Sequence, residues 1–188
     1  MMNFRSGTRL AVMTGLLVMS CIASNAYADD VSDANETISL FKQTDPGLVR
    51  FFERSVGYAV FPSVAKGGLG VGAAHGSGVL YEGGAPVGGA SLTQVTVGLQ
   101  VGGQEYTEII FFETGKVLSD FKAGNLAFSG QVSSVALAAG ASADANYQRG
   151  VAVFTATRGG LMVEASVGGQ KFSYTPFAKK KVGKRRTP

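Results

Sequence analysis

His75 and Ser77, inside the run GGLGVGAAHGSGVLY at 67–81, are the side chains whose types and spacing come nearest to chemistry. Histidine beside serine is the pairing of a general base with a nucleophile. His75 is the chain's one histidine, and on an extended chain residues two apart stand parallel on one face instead of meeting. The nucleophile elbow wants a glycine two places before its serine, and His75 occupies that place. The surrounding glycines brush against phosphate-cradling loops, but a dinucleotide fingerprint must close a strand and open a helix. More glycine follows here, with no apolar helical stripe and no Walker frame. A metal site lacks a second histidine or a cysteine to join His75. Glu105, Glu108, Glu113 and Asp120 are scattered along one region and read as solvated strand and helix faces. Catalytic residues, metal ligands and cofactor loops are therefore not expected, and neither is enzyme activity.

The element that must position these residues is a strand. Positions 68, 70, 72, 74, 76 and 78 read Gly, Gly, Gly, Ala, Gly, Gly, while Leu69, Val71, Ala73, His75, Ser77 and Val79 lie between them. Period two is the signature of extended chain. One face, formed by Gly68, Gly70, Gly72, Gly76 and Gly78, is almost bare. Each glycine in a strand costs about 0.5–1 kcal/mol relative to alanine, so this face implies that something flat lies against it. A helix, a ring, a second sheet or an apolar ligand would serve, and internal packing is the leading account. A hairpin turn near His75 to Gly78 would divide the strand without changing this reading.

Before that strand, residues 32–54 read as two short helices. Ser32 is a cap for the first, and Ile38, Leu40 and Phe41 form its apolar stripe. Asp45 and Pro46 open the second, in which Leu48, Phe51 and Phe52 share a face. Such a face normally buries against a sheet, and membrane insertion is the alternative. After it, YAVF reads as a short strand stopped by Pro62. QVTVGLQVG alternates Val95, Val97, Leu99 and Val101 with Thr96, Gly98 and Gln100, and YTEIIFF follows as strand. TGKVLSDFKAG reads as a helix ending near Gly124. SSVALAAGA, GVAVFTAT, LMVEASVG and KFSYT are further strands, with RGG and VGGQ as hairpin connections. The fold class is α+β: N-terminal helices, one short internal helix, and a glycine-rich antiparallel sheet, barrel- or sandwich-like.

Residues 1–28 read as a secretory signal: Arg5 and Arg9, an apolar run, then AYA before Asp29. Cleavage after Ala28 removes the sole cysteine; a lipoprotein-type cut at Cys21, leaving it lipidated, is the alternative. Residues 29–176 form one domain. From Asp29 to Ala178 there are 9 Lys/Arg against 13 Asp/Glu, and the pI of 9.3 comes from the tail, 177–188. There Lys179, Lys180, Lys181, Lys184, Arg185 and Arg186 suit a tether to an anionic surface. A nucleic-acid reader would carry its charge on a folded face, so no nucleic-acid partner is expected.

The segment YAVFPSVAKGGLGVGAAHGSGVLYEGG resembles the glycine-rich opening of SYLF (Ysc84-type) domains, which read A-x-V-F-P, a basic residue, then alternating glycines. GLQVGGQEYTEIIFFET and RGGLMVEASVGGQKFSY resemble that family's later segments, and the likeness runs over about residues 30–176. The resemblance implies a lipid- and membrane-binding module. By position it assigns lipid contact to Arg50, Phe51, Phe52, Arg54 and Lys66. Actin and phosphoinositides, ligands of eukaryotic relatives, are not expected of a secreted chain of bacterial character. The transferable partner is anionic phospholipid at a membrane surface, in the periplasm. The alternatives are a scaffold binding other envelope proteins and a small outer-membrane β-barrel.

Overall fold

A computed structural model of the chain describes residues 28–129 and 134–178. All but Ala28 of the expected signal segment, Cys21 and the six tail cations lie outside these residues. Residues 28–44 are helical (α1). Ser32 is therefore inside the helix and caps nothing. Asp45 ends α1 with extended backbone; its side chain accepts from Gly47 N at 3.0 Å, and Pro46–Leu48 form a 3-10 turn leading into α2 (Val49–Arg54). The second Asp45 oxygen accepts from Ser142 N at 2.7 Å, pinning the helical corner to a distant loop. Burial pushes the Asp45 carboxyl up, but bonds from Ser142 and Gly47 outweigh it and hold the pKa below its ordinary value.

Three strands of unusual length follow: β1 (Gly57–Glu82), β2 (Ala85–Phe112) and, after the short elements, β5 (Val151–Pro176). Between them lie α3 (Gly115–Lys122), β3 (Ala127–Ser129) and β4 (Ser134–Ala136). The sheet order is β1-β2-β5-β3, with β4 pairing β5 in parallel and all other pairs antiparallel. The sheet is not closed. Gly83 and Gly84, at φ +55° and +79°, make the two-residue turn between β1 and β2, a conformation that twists with the strands and favours glycine.

A straight strand of 26 residues would reach about 85 Å at the usual rise, roughly twice the width of a domain this size. The strands must bend, and the glycine face shows how. A Cβ on Gly76 would lie 2.7 Å from Val64 Cγ2 and 2.8 Å from the Ser63 carbonyl, and one on Gly78 would collide with the Val60 carbonyl. Gly68 is so close to Gly72 that a Cβ there would sit 2.5 Å from its Cα. β1 thus doubles back on itself, and the bare face is used for internal contact except at Gly70, which is exposed at φ +71° with nothing within 4 Å of a Cβ there. β2 bends with it, since Tyr106 Oη donates to Gln94 Oε1 at 3.4 Å.

The fold-over creates two cores. Inside lie Phe61, Val64, Leu80, Leu92, Ile110, Phe112 and Phe172, closed by Leu118 and Phe121 of α3. Outside, Ile38 and Phe41 of α1 and Phe51 of α2 pack onto Tyr58, Val60, Tyr81, Phe111 and Phe154. Leu40, placed in the α1 stripe by spacing, is exposed.

Several local expectations are corrected. Pro62 does not stop β1: it sits where the register skips from Phe61 to Val64, so its missing N–H breaks no ladder bond, and its carbonyl accepts from Thr107 Oγ1 and Arg158 Nη1. No turn occurs at His75–Gly78, RGG or VGGQ, because all three lie within continuous strands. SSVALAAGA supplies only the three-residue β4.

Candidate functional site

The five residues assigned to lipid contact do not form one surface. Phe51 is buried, with ring centroids 5.5, 5.5 and 5.1 Å from Phe111, Tyr147 and Phe154. Phe52 packs edge-on against Tyr58 and Phe111 under the Lys42 ammonium. Both rings anchor α2 to the sheet, the use that their shared helix face makes natural, and Phe51 cannot enter a membrane. Arg50 donates through Nη2 to the carbonyls of Ser142, Ala143 (3.3 Å) and Ala145 (3.1 Å), which makes it a clamp on the loop before β5. Lys66 turns into the fold and is buried. Arg54 alone of the five is exposed. We expect Arg50→Ala to lower folding stability by about 2 kcal/mol in urea melts, the scale of lost charge-assisted bonds.

His75 and Ser77 are exposed on the outer face and line a shallow groove with Asp30 and Asp33. Among the described residues no group of three His, Cys, Asp or Glu could hold a metal ion, and no helix is long and apolar enough to cross a membrane.

The feature that stands out is the outer surface of the bend. Leu69 is 80% exposed and Leu99 82%, and Val71, Val95, Val97 and Val101 are each more than half exposed. The register joins them: Leu69 pairs with Val101, Val71 with Val97, and Ala73 with Val95. β5 runs alongside, with Val163 beside Val101 and Val167 beside Val97. On β2 the alternate positions Thr96 and Gln100 point inward and are polar. Thr96 (2% exposed) donates to Gln100 Oε1 at 2.7 Å, and Gln100 (3%) donates to the carbonyls of Thr96 at 3.1 Å and Gly70 at 3.3 Å. Gly72 leaves room for this pair, because a Cβ there would collide with the Gln100 amide.

At the bend, then, the usual order is reversed, with apolar residues outward and polar residues inward. The period-two pattern at residues 95–101 signalled two faces but not which one is buried; the fold can bury Thr96 and Gln100 because each finds hydrogen-bond partners inside it. The band has polar borders. His75, Thr93 and Lys171 share one row of the ladder beyond it. On the other side Arg158 Nη1 lies 3.5 Å from Glu105 Oε1.

Deeper in the same face, Glu108 departs from the solvated position expected of it. It is buried in the inner core, where Oε2 accepts from Gln170 Nε2 at 3.1 Å and Oε1 finds no partner among the described residues. Burial drives its carboxyl up to about 7, offset only in part by Gln170.

The sequence matches no model of a known protein family and no curated protein.

Proposed function

We propose that this protein is a non-catalytic lipid-binding protein of the bacterial envelope, which meets anionic phospholipid with the bend of its folded sheet. The observation that carries this reading is the contiguous apolar band, Leu69, Val71, Val95, Val97, Leu99 and Val101, exposed above a polar layer. Contiguous apolar patches on soluble proteins mark interaction sites, membranes among them. Each side chain that leaves water here contributes about 1–2 kcal/mol. Lys171 on the border supplies cationic charge next to the band, and the six cations of 179–186 add about 1 kcal/mol each near an anionic surface. The resemblance of the chain to SYLF domains, secretion to the periplasm and attachment at a membrane surface belong to the same proposal. A spanning barrel is disfavoured by the open sheet, whose edges would meet hydrocarbon unpaired.

Vesicle flotation tests the reading. The protein is expected to float with phosphatidylglycerol-containing vesicles, less well with neutral ones, and less well as salt rises. Leu99→Glu, at the most exposed point of the band, should weaken binding about tenfold or more, since placing a charge there exceeds the loss of one apolar contact. Arg54→Ala should change it little. Undiminished flotation of Leu99→Glu sinks the proposal.

A further inference from the structure

The outer face of the sheet changes character in one step. On β1, β2 and β5 the register sets Ala73, Val95 and Gly169 in one row and His75, Thr93 and Lys171 in the next. Ser77, Ser91 and Ser173 form the row after that, with the Ser91 and Ser173 hydroxyls 2.6 Å apart. Successive rows on one face lie about 7 Å apart along the strands. The apolar band is thus followed at once by side chains that can all donate hydrogen bonds, and no carboxylate is among them. Thr93 and Lys171 are exposed, and among the described residues neither side chain forms a hydrogen bond or an ion pair. Being direct ladder partners, their Cα atoms stand about 5 Å apart, close enough for both side chains to reach one small anion.

The opposite border of the band is different. There Glu105 accepts from Ser63 Oγ at 2.7 Å and faces Arg158, so cation and hydroxyl are already engaged by a carboxylate of the chain. Toward β1, Asp30 and Asp33 line a groove with His75 and Ser77, and their charge repels an anion. The place left for one is the β2–β5 side, at Thr93, Lys171, Ser91 and Ser173. In a phospholipid the phosphate sits directly above the acyl chains, just as these donors sit directly beyond the band. A phosphodiester accepts hydrogen bonds and carries negative charge, which an ammonium flanked by hydroxyls complements. We infer that the phosphodiester of an anionic phospholipid is held at this step by Lys171 Nζ and Thr93 Oγ1, backed by the Ser91–Ser173 hydroxyl pair, while its acyl chains meet Val95 and Val97. One border of the band then fixes the headgroup and sets the protein's orientation on the surface. This rests on the membrane reading above.

The test compares full-chain variants on phosphatidylglycerol vesicles. Lys171→Gln should weaken binding about tenfold, the scale of a lost charge-assisted bond. Lys116→Gln removes the same charge from an exposed position on α3 and should weaken it less than about twofold. Thr93→Val keeps the shape and enlarges the apolar band, yet should weaken binding about threefold because a donor is lost. Equal effects of Lys171→Gln and Lys116→Gln, or tighter binding by Thr93→Val, overturn the headgroup site and leave the membrane reading standing. Failure of the parent to bind vesicles overturns both. Inorganic phosphate alone at millimolar concentration, followed by amide NMR, should leave Thr93 and Lys171 unmoved. Saturable shifts at those two residues would overturn the lipid as source of the phosphate.

Discussion

Gly78→Ala should destabilise the protein by about 3 kcal/mol, measured as a lower urea midpoint at unchanged slope. The new methyl group would strike the Val60 carbonyl and lie 2.7 Å from Phe61 Cδ1 and 3.0 Å from Val60 C. Two of these three atoms are backbone, in strands that a rotamer change cannot move. Alanine elsewhere gains about 0.4–1 kcal/mol by restricting the unfolded chain, which is too little to offset a forced separation of the halves of β1. Gly115→Ala is the matched comparison, since its Cβ would meet nothing within 4 Å; it should leave stability unchanged or slightly raised. The contrast separates a glycine kept for close approach from one kept for none. Since domains of this kind are stable by only about 5–15 kcal/mol, Gly78→Ala would remove a large part of the margin. A Gly78→Ala protein as stable as the parent would mean that β1 does not double back.

How the sheet folds over on itself was only half legible in the sequence. The alternation at 68–78 correctly gave a strand with one bare face, and internal packing was its leading reading. What covers Gly76 and Gly78 on that face is the strand's own first third, and Gly72 lies against Gln100 of β2; such contacts leave no trace in local spacing. Length misled at the same points. Gly-rich runs at 158–160 and 167–170 look like hairpin turns because glycine is the usual turn residue, yet they lie within β5, which accompanies β2 along its length. Helix signals were mixed: Asp45-Pro46 opens the 3-10 turn as its local chemistry suggests, but Ser32 lies inside α1, and Thr114, which caps α3 by accepting from Val117 N, went unread.

The candidate site was less legible for a related reason. The helix face holding Phe51 and Phe52 read as one that normally buries against a sheet, with membrane insertion the alternative, and Phe111, Phe154 and Tyr58, distant in sequence, decide for the core. Val95 to Val101 announce an apolar face, but a two-fold period is silent about which side faces water. The deciding groups are Gly72, Thr96 and Gln100: two polar side chains that bond each other, and a glycine opposite that makes space for them. The polar pair holds the bend together from within, and so frees the outer face from any duty in the core.

Glu108→Gln is expected to stabilise the protein by about 3 kcal/mol at pH 8 and to change little at pH 4.5. The Glu108 carboxyl is raised to about 7 in the fold from an ordinary value of 4.5. Between those values the folded state holds a proton that the unfolded state has released, so stability falls as pH rises through the window. Above about pH 7 the carboxylate is ionised in both states, and the full cost of burying it stands. A rise from 4.5 to about 7 corresponds to about 3 kcal/mol. Glutamine keeps the shape, can still accept from Gln170, and carries no charge to bury. Subtracting the parent's stability from the variant's at each pH cancels the other titrating groups, among them Asp45, whose lowered pKa acts in more acid solution. The difference should climb from near zero at pH 4.5 to a plateau above pH 7.5. A flat difference would place Glu108 in contact with water or a cation, and the inner face at the bend would then be wet.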